Sequence, residues 1–373
     1  MGQNAVGFGE LAQVLTELTT AGAEVWLAFE PTGPYSSCLR EWCLAGGWRL
    51  VQVNPYHVKR TREVRDKGPH CSDRKACRII ADLVWGGCYQ QVVRLAGPYA
   101  QLRLLAGEWA SLTKKHTALT NEFGAQLTVW FPELGEIFKD STCKSVRAVV
   151  RGYGSPAQVA ATAPAQLRAV LRAATSGRCG RYAEPIRAAA VSSIGVAGGA
   201  SERRGAMLLL LALLETVEAR QEQVCQEMAL LLAGLPGLGP VGVAGLLGEC
   251  GDLGHFASYR QLEKHLGLTL CNQASGLRAN RPRISKRGRS LARGLLCYPA
   301  AGQCKEGALY HDFAQGLKAK GKTTKEVRVA VARKLLRLLY ALARDRAGFD
   351  LTRFREAQTG HGQLVHQETL KVA

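Results

Sequence analysis

The chain has 373 residues, with 49 Lys and Arg against 30 Asp and Glu, a formal net charge of +19 and a pI near 9.7. At roughly 150 residues per domain this length accommodates two to three domains. With 47% hydrophobic residues it can bury real cores, which excludes wholesale disorder. So large a cationic surplus on a folded protein points to a polyanionic partner, nucleic acid before a membrane surface.

Met1 to Gly9 has no basic segment followed by an apolar one, so no secretory signal is expected. Gly2 lacks the downstream Ser or Thr of a myristoylation site. The uncharged stretch Ala229 to Gly248 has the length of a membrane span but holds Pro236, Pro240 and six glycines. The expectation is a soluble bacterial protein of the cytoplasm, associated with the nucleoid and not with a membrane. The 12 cysteines form no C-x-x-C pair and have no His at zinc-finger spacing, so they read as reduced thiols used as small apolar residues.

In chain order, Leu11, Val14, Leu15 and Leu18 recur at helical spacing. Val25 to Phe29 is a short apolar run that ends on Glu30 and meets the breakers Pro31, Gly33 and Pro34. A helix is expected from Ser36 to Ala45, stopped by Gly46-Gly47, then a strand from Arg49 to Val53 closed by Asn54-Pro55. Ser72 reads as the N-cap of a helix running to Trp85. This alternation predicts an α/β layer with a largely parallel sheet. Residues 97–127 read as one long helix with Leu102, Leu105, Trp109, Leu112, Leu119 and Phe123 near one face, suited to a coiled coil. Residues 152–205, rich in Gly, Ala, Ser and Arg, read as a linker or loosely packed helices. A strong helix over 206–232 is placed to pack on the first long one, and a helical pattern with Gly and Pro interruptions runs from 233 to about 345.

Three constellations carry chemistry. Leu235-Pro236-Gly237-Leu238-Gly239-Pro240 between apolar helices has the form of a helix-hairpin-helix element. Its Gly237 and Gly239 let the backbone approach a phosphate, beside free N–H groups at the next helix start. Next come Arg278, Arg281, Arg283, Lys286, Arg287, Arg289 and Arg293 without an acid among them, then a second run from Lys318 to Arg337 with Glu326 alone. Two such runs beside a hairpin read as a phosphate-binding surface. Ser275-Gly276 precedes the first run, and as a dipeptide it is an ordinary turn signal. A serine ringed by arginines is also what phosphoryl transfer to a hydroxyl needs. Thirdly, Glu30 at a strand end and Asp73 at a helix start are carboxylates of the kind that hold divalent ions for phosphodiester cleavage. Each also reads as a strand terminus or a favourable charge at a helix N-terminus.

Ala28-Phe29-Glu30-Pro31-Thr32-Gly33-Pro34-Tyr35, Val53-Asn54-Pro55-Tyr56-His57-Val58-Lys59 and Ser72-Asp73-Arg74-Lys75 resemble the N-terminal domain of the IS110 family of insertion-sequence transposases. The hairpin at Pro236 to Pro240, Phe256 to Leu268, Gln273 to Gly276 and Ile284 to Gly288 resemble its C-terminal domain. The resemblance implies a RuvC-like, RNase H-type α/β domain over 1–96 and a coiled-coil and linker region over 97–232. A mainly α C-terminal domain over 233–350 with a helix-hairpin-helix element would follow, then a disordered tail over 351–373. It further implies four acidic ligands in the order Asp, Glu, Asp, Asp for Mg²⁺, a catalytic serine that links covalently to DNA, and a structured guide RNA that pairs with DNA. A homodimer or homotetramer is the expected assembly. Carried over, Glu30 is the second acid, Asp73 the third and Ser275 the nucleophile.

Two positions depart from the family pattern. No Asp precedes Glu30, so the family's first strand with its acid would lie upstream of Met1. The fourth acid is expected one turn after Asp73, where Ala76 stands. Three functional readings follow: a DNA transposase, a decayed copy that only binds DNA or RNA, and a stand-alone RuvC-like nuclease. The last is disfavoured by the loss of half its acidic set.

Overall fold

The computed structural model describes residues 2–31, 33, 35–66, 73–92, 95, 97–232, 239–271 and 283–346. The chain divides into two compact units, Met1–Leu95 and Ala96–Ala373. Among the predicted features, Ser72, Gly237, Ser275, Arg278, Arg281 and the 351–373 tail lie outside the described residues.

The first unit opens with α1 (Ala5–Thr20), capped by Asn4, whose side chain accepts a bond from the Gly7 N–H at 2.9 Å. Next come β1 (Leu27–Phe29), α2 (Tyr35–Ala45), β2 (Leu50–Gln52), α3 (Pro55–Asp66), α4 (Asp73–Trp85) and β3 (Gln90–Gln91). β1 pairs with β2 in parallel, Leu27 opposite Leu50, as the alternating pattern predicts. β3 then pairs antiparallel to β2, so the three-stranded sheet is mixed and not largely parallel. Two apolar clusters cover its two faces. Phe29 and Leu50 join Cys43, Leu39 and Trp42 of α2. Val53 joins Val58 of α3 and Ile79, Ile80, Leu83 and Val84 of α4. The helix α3 was not read from the sequence, where Asn54-Pro55 served only as a strand stop. Asn54 in fact caps it, its side-chain oxygen taking the Tyr56 N–H at 2.9 Å with Pro55 in the first turn.

The second unit is built on α5 (Pro98–Trp130) and α11 (Ala200–Leu231). They run antiparallel: Leu102 and Ala106 share a cluster with Val224 and Met228, whereas Phe123 and Leu127 share one with Leu211 and Met207. Ion pairs line this seam. Arg147 grips Glu218 with two N–H donors at 2.9 and 2.5 Å, which holds the Glu218 carboxyl below its ordinary range.

Residues 152–205 are packed helices and not a linker. Between α5 and α11 lie α6 (Leu134–Ile137), α7 (Lys144–Gly152), α8 (Pro156–Ala161), α9 (Pro164–Ala174) and α10 (Ala183–Val191). Val159, Leu167, Leu171 and Ile186 are fully buried with Trp130, Phe131 and Leu211 in one core. Few large apolar residues suffice here because alanine-rich helices approach closely, and each buried Leu or Ile still contributes about 2 kcal/mol.

The C-terminal part comprises α12 (Pro240–Cys250), α13 (Tyr259–Leu266), the short pair β4 (Leu270–Cys271) and β5 (Arg283–Ile284), α14 (Ser290–Gly302), α15 (His311–Ala319) and α16 (Thr324–Asp345). α16 starts with a reciprocal cap between Thr323 and Glu326 and buries Val331, Leu335 and Leu336 against Leu262, Leu266 and Leu296. The uncharged stretch Ala229 to Gly248 is the end of α11, a connection and α12. No helix among the described residues is long and apolar enough to cross a membrane. Burial pushes the Cys250 thiol up to about 12, so it stays neutral, as an apolar filler must.

Candidate functional site

In the first unit, Glu30 lies directly after β1 and is half-buried. Side chains alternate along a strand, and Leu27 and Phe29 face α2, so Glu30 falls on the opposite face, the one α3 and α4 cover. Asp73 is the first residue of α4. Ala76, Ile80 and Leu83 recur at three- and four-residue spacing, and Ile80 and Leu83 pack towards the sheet. Glu30 and Ala76 therefore share a face of this unit. No hydrogen bond or ion pair joins Glu30 to another described residue.

Glu30 and Ala76 by themselves do not make up a divalent-metal centre. Among the described residues no group of three His, Cys, Asp or Glu stands together as ligands would, and the half-buried Ala76 contributes no oxygen. A magnesium or similar hard cation takes six or more oxygens, with carboxylates anchoring it.

In the second unit, the candidate site is a basic turn fastened to the end of α13. That helix ends on Gly267 in the left-handed region, φ +69°, where its carbonyls from Glu263 and Lys264 accept the closing bonds. β4 and β5 pair antiparallel, Leu270 opposite Ile284 and Cys271 opposite Arg283, and residues 272–282, with Ser275, connect them. Beyond β5 the chain is held bond by bond. Ser285 N–H donates to Thr269 O at 2.8 Å, Lys286 N–H to Gly267 O at 3.0 Å and Arg289 N–H to His265 O at 3.0 Å. Lys286 takes a left-handed φ of +56° to make this path.

The turn sorts the predicted basic residues into two kinds. Arg283, Lys286 and Arg287 are exposed. Arg289 lies 3.6 Å from the Glu249 carboxylate, which is 10% exposed and also meets Arg103 at 3.6 Å. Arg293 donates to Leu266 O at 2.8 Å, and burial lowers its pKa. These two arginines brace the turn. The second basic run divides similarly. Lys318, Lys320, Lys322, Lys325 and Arg328 are exposed on α15, the turn after it and the start of α16. Arg333 pairs with buried Glu263 at 2.5 Å, Lys334 lies 4.3 Å over Phe313 and Arg337 4.9 Å over Tyr259. Gly239 is the exposed N-cap of α12, with Pro240 in the first turn.

Sequence reading passed over His265, which sits under this turn. Its ring meets Phe256 edge-on at 5.4 Å, and its Nε2 is buried without a partner. Burial, then the Arg289 charge, depress its pKa, while a bond to the Glu249 backbone opposes them. An unfolded chain binds this proton near pH 6.5, whereas the folded one does so only at lower pH, so stability is lost as pH falls below about 6.5. The urea midpoint is expected to drop between pH 7.5 and 5.5, and His265→Leu to flatten that drop. Equal slopes for the two proteins would exclude His265 as the cause.

Two segments of the chain match two family models. Residues 3–132 match one described as a transposase, of the IS110 DEDD type, and residues 229–308 match one described as the transposase IS116/IS110/IS902 family. Together they span more than half of the 373 residues. The chain belongs to the IS110 family of transposases, proteins whose substrate is DNA. No curated protein matches it.

Proposed function

We propose that this chain is a DNA transposase that cuts and joins strands with the Ser275 hydroxyl as nucleophile, guided by a structured RNA. The observation that supports the reading is the basic turn at 283–289: exposed Arg283, Lys286 and Arg287 follow the 272–282 connection and are held rigidly against α13. In this reading the Ser275 oxygen bonds to a DNA phosphorus as the phosphodiester's leaving oxygen departs, and nearby cations stabilise the charge of the transferring phosphate. Arg278 and Arg281 extend the surface, and Arg289 braces it through Glu249. Gly237 and Gly239 form a helix-hairpin-helix grip on the DNA backbone. The proposed domains are a RuvC-like domain over 1–96, a coiled-coil region over 97–232 and a serine transposase domain over 233–350, acting as a homodimer or homotetramer.

Mg²⁺ is the divalent ion proposed for the RuvC-like domain, with Glu30 and Asp73 as its ligands. Ala76, where a fourth acid is expected, takes one ligand from that set. This shortage favours a second reading, a chain that binds DNA or RNA without strand chemistry. It is supported by Ala76 on α4 and by the lack of a three-ligand group among the described residues.

Trapping separates the two readings. The chain is incubated with DNA carrying its element ends and the guide RNA transcribed from that element, then denatured. A transposase leaves a protein–DNA adduct that disappears in Ser275→Ala. An adduct that survives Ser275→Ala overturns the serine assignment. No adduct here, with one appearing after Ala76→Asp, establishes the binding-only reading.

A further inference from the structure

The helical segment between the two matched regions carries charge that neither the basic turn nor the acidic pair uses. From Ser141 to Ala183 the sequence holds seven Lys and Arg and no Asp or Glu. Some of these cations are internal braces. Arg147 binds Glu218, and Arg151 pairs with Glu215. Just outside that stretch, Arg187 donates to Thr162 O at 3.2 Å and Arg204 to Val150 O at 3.0 Å.

Four arginines remain, and the fold gathers them at one corner. Arg168 and Arg172 are one turn apart on α9, and both side chains lie across Gly180. A Cβ placed there would stand 2.8 Å from Arg172 Nε and 3.2 Å from Arg168 Cγ. The turn after α9 folds back, with Gly177 N–H on Arg172 O at 2.9 Å and Cys179 N–H on the Thr175 hydroxyl at 3.0 Å. This brings Arg178 to the same end. Arg181 follows Gly180, its guanidinium 5.0 Å over the Tyr182 ring and donating to the Tyr182 hydroxyl at 3.2 Å. Tyr182 is itself anchored on Phe138 at 5.0 Å. Among the described residues the sole carboxylate against these four is Glu184, 3.5 Å from Arg168. All four arginines are exposed. Arg172 alone gains from the C-terminal end of α9, so helix capping does not account for the group.

We propose that Arg168, Arg172, Arg178 and Arg181 form a binding site for the phosphodiester backbone of a nucleic acid, additional to the basic turn. Clustered guanidiniums on packed helices match phosphate oxygens by charge and by paired donors. The exposed residues among them, Ala169, Ala173, Ser176 and Gly177, are small. They offer no large apolar group for a membrane and no amide to read a base, so contact is to backbone without sequence choice. The site does not depend on Ser275.

The test is salt-dependent binding by fluorescence anisotropy, with a duplex DNA and a hairpin RNA as separate probes. The full chain is compared with a triple variant, Arg172→Ala, Arg178→Ala and Arg181→Ala, and with the same three positions changed to Lys. The alanine variant is expected to bind one probe about tenfold more weakly at moderate salt, with a log–log salt slope shallower by about 2 to 3, near 0.9 per lost phosphate contact. The lysine variant should keep most of that slope. The probe that responds identifies the strand type. Thermal melting within a degree or two of the parent shows the exposed changes left the fold intact. Unchanged affinity and slope for both probes overturn the proposal.

Discussion

Gly288→Ala is expected to lower the stability of the second unit by about 2 to 3 kcal/mol and to weaken DNA binding with it. A Cβ at this position would stand 2.3 Å from the His265 carbonyl oxygen, 2.6 Å from Gly267 N and 2.8 Å from the Leu266 carbonyl carbon. All three are backbone atoms, so none can swing aside as a flexible side chain would. The turn must lift, breaking the Arg289-to-His265 and Lys286-to-Gly267 bonds that hold the exposed cations in place. Gly294→Ala in α14 is the matched control, because its Cβ meets nothing within 4 Å. There the gain in helix propensity should stabilise by about 0.5 to 1 kcal/mol. Urea unfolding of both variants reads the difference. A Gly288→Ala protein within 0.5 kcal/mol (roughly the scatter of a neutral surface change) would show that the turn is not tightly fitted.

The second large effect is at Gly248. Its Cβ would lie 2.6 Å from Arg103 N and 2.7 Å from Arg103 Cα, again backbone, on α5. Gly248→Ala gains helix propensity of up to about 1 kcal/mol. The clash outweighs this, because α12 must move off α5 and open the cluster of Leu102, Ala106, Val224, Met228 and Ala244. A net loss of about 2 to 4 kcal/mol is expected. The adjacent Glu249, which bridges Arg103 and Arg289, shifts as well, so the basic turn loses its brace. Gly107→Ala, with open space around its Cβ, should instead stabilise. Opposite signs for two glycines of adjoining helices are measurable by thermal melting, and matching signs would contradict the packing.

Much of the secondary structure was legible because it depends on local chemistry. The run ending at Glu30, the helix ending at Ala45 and the long helix from residue 97 carry their own stops and periodicity, and they are found as β1, α2 and α5. The helix α3 was missed because its mean character is polar, Arg- and Lys-rich, with Val58 as its one fully buried anchor. For residues 152–205 the sequence leaves a linker and loosely packed helices both open, for a related reason. Small residues look like a linker in composition, and only the partner surface, Trp130, Phe131 and Leu211, turns them into a core.

The six glycines of Ala229 to Gly248 show the same division. Read along the chain, Gly237 and Gly239 suit a turn that approaches a phosphate, and the others read only as interruptions of an apolar run. In the fold, Gly242, Gly245 and Gly248 lie inside α12, where Pro299, Leu295 and the α5 backbone come too close for any side chain. Spacing cannot reveal this, since what excludes the Cβ is more than 50 residues distant in sequence for Pro299 and over 140 for Arg103.

The sequence by itself determined the net charge of +19, five of the elements in the first unit (α1, β1, α2, β2 and α4) and the family, because charge, periodicity and ordered motifs are local properties of the chain. Tertiary structure alone decided which cations are free to meet a phosphate. Arg289, Arg293, Arg333 and Arg147 are taken up by Glu249, Leu266 O, Glu263 and Glu218. Arg283, Lys286 and the four arginines around Gly180 remain exposed. The physical reason is that a cation's availability depends on whether a carboxylate or carbonyl lies within a few ångströms, and those partners come from distant parts of the chain.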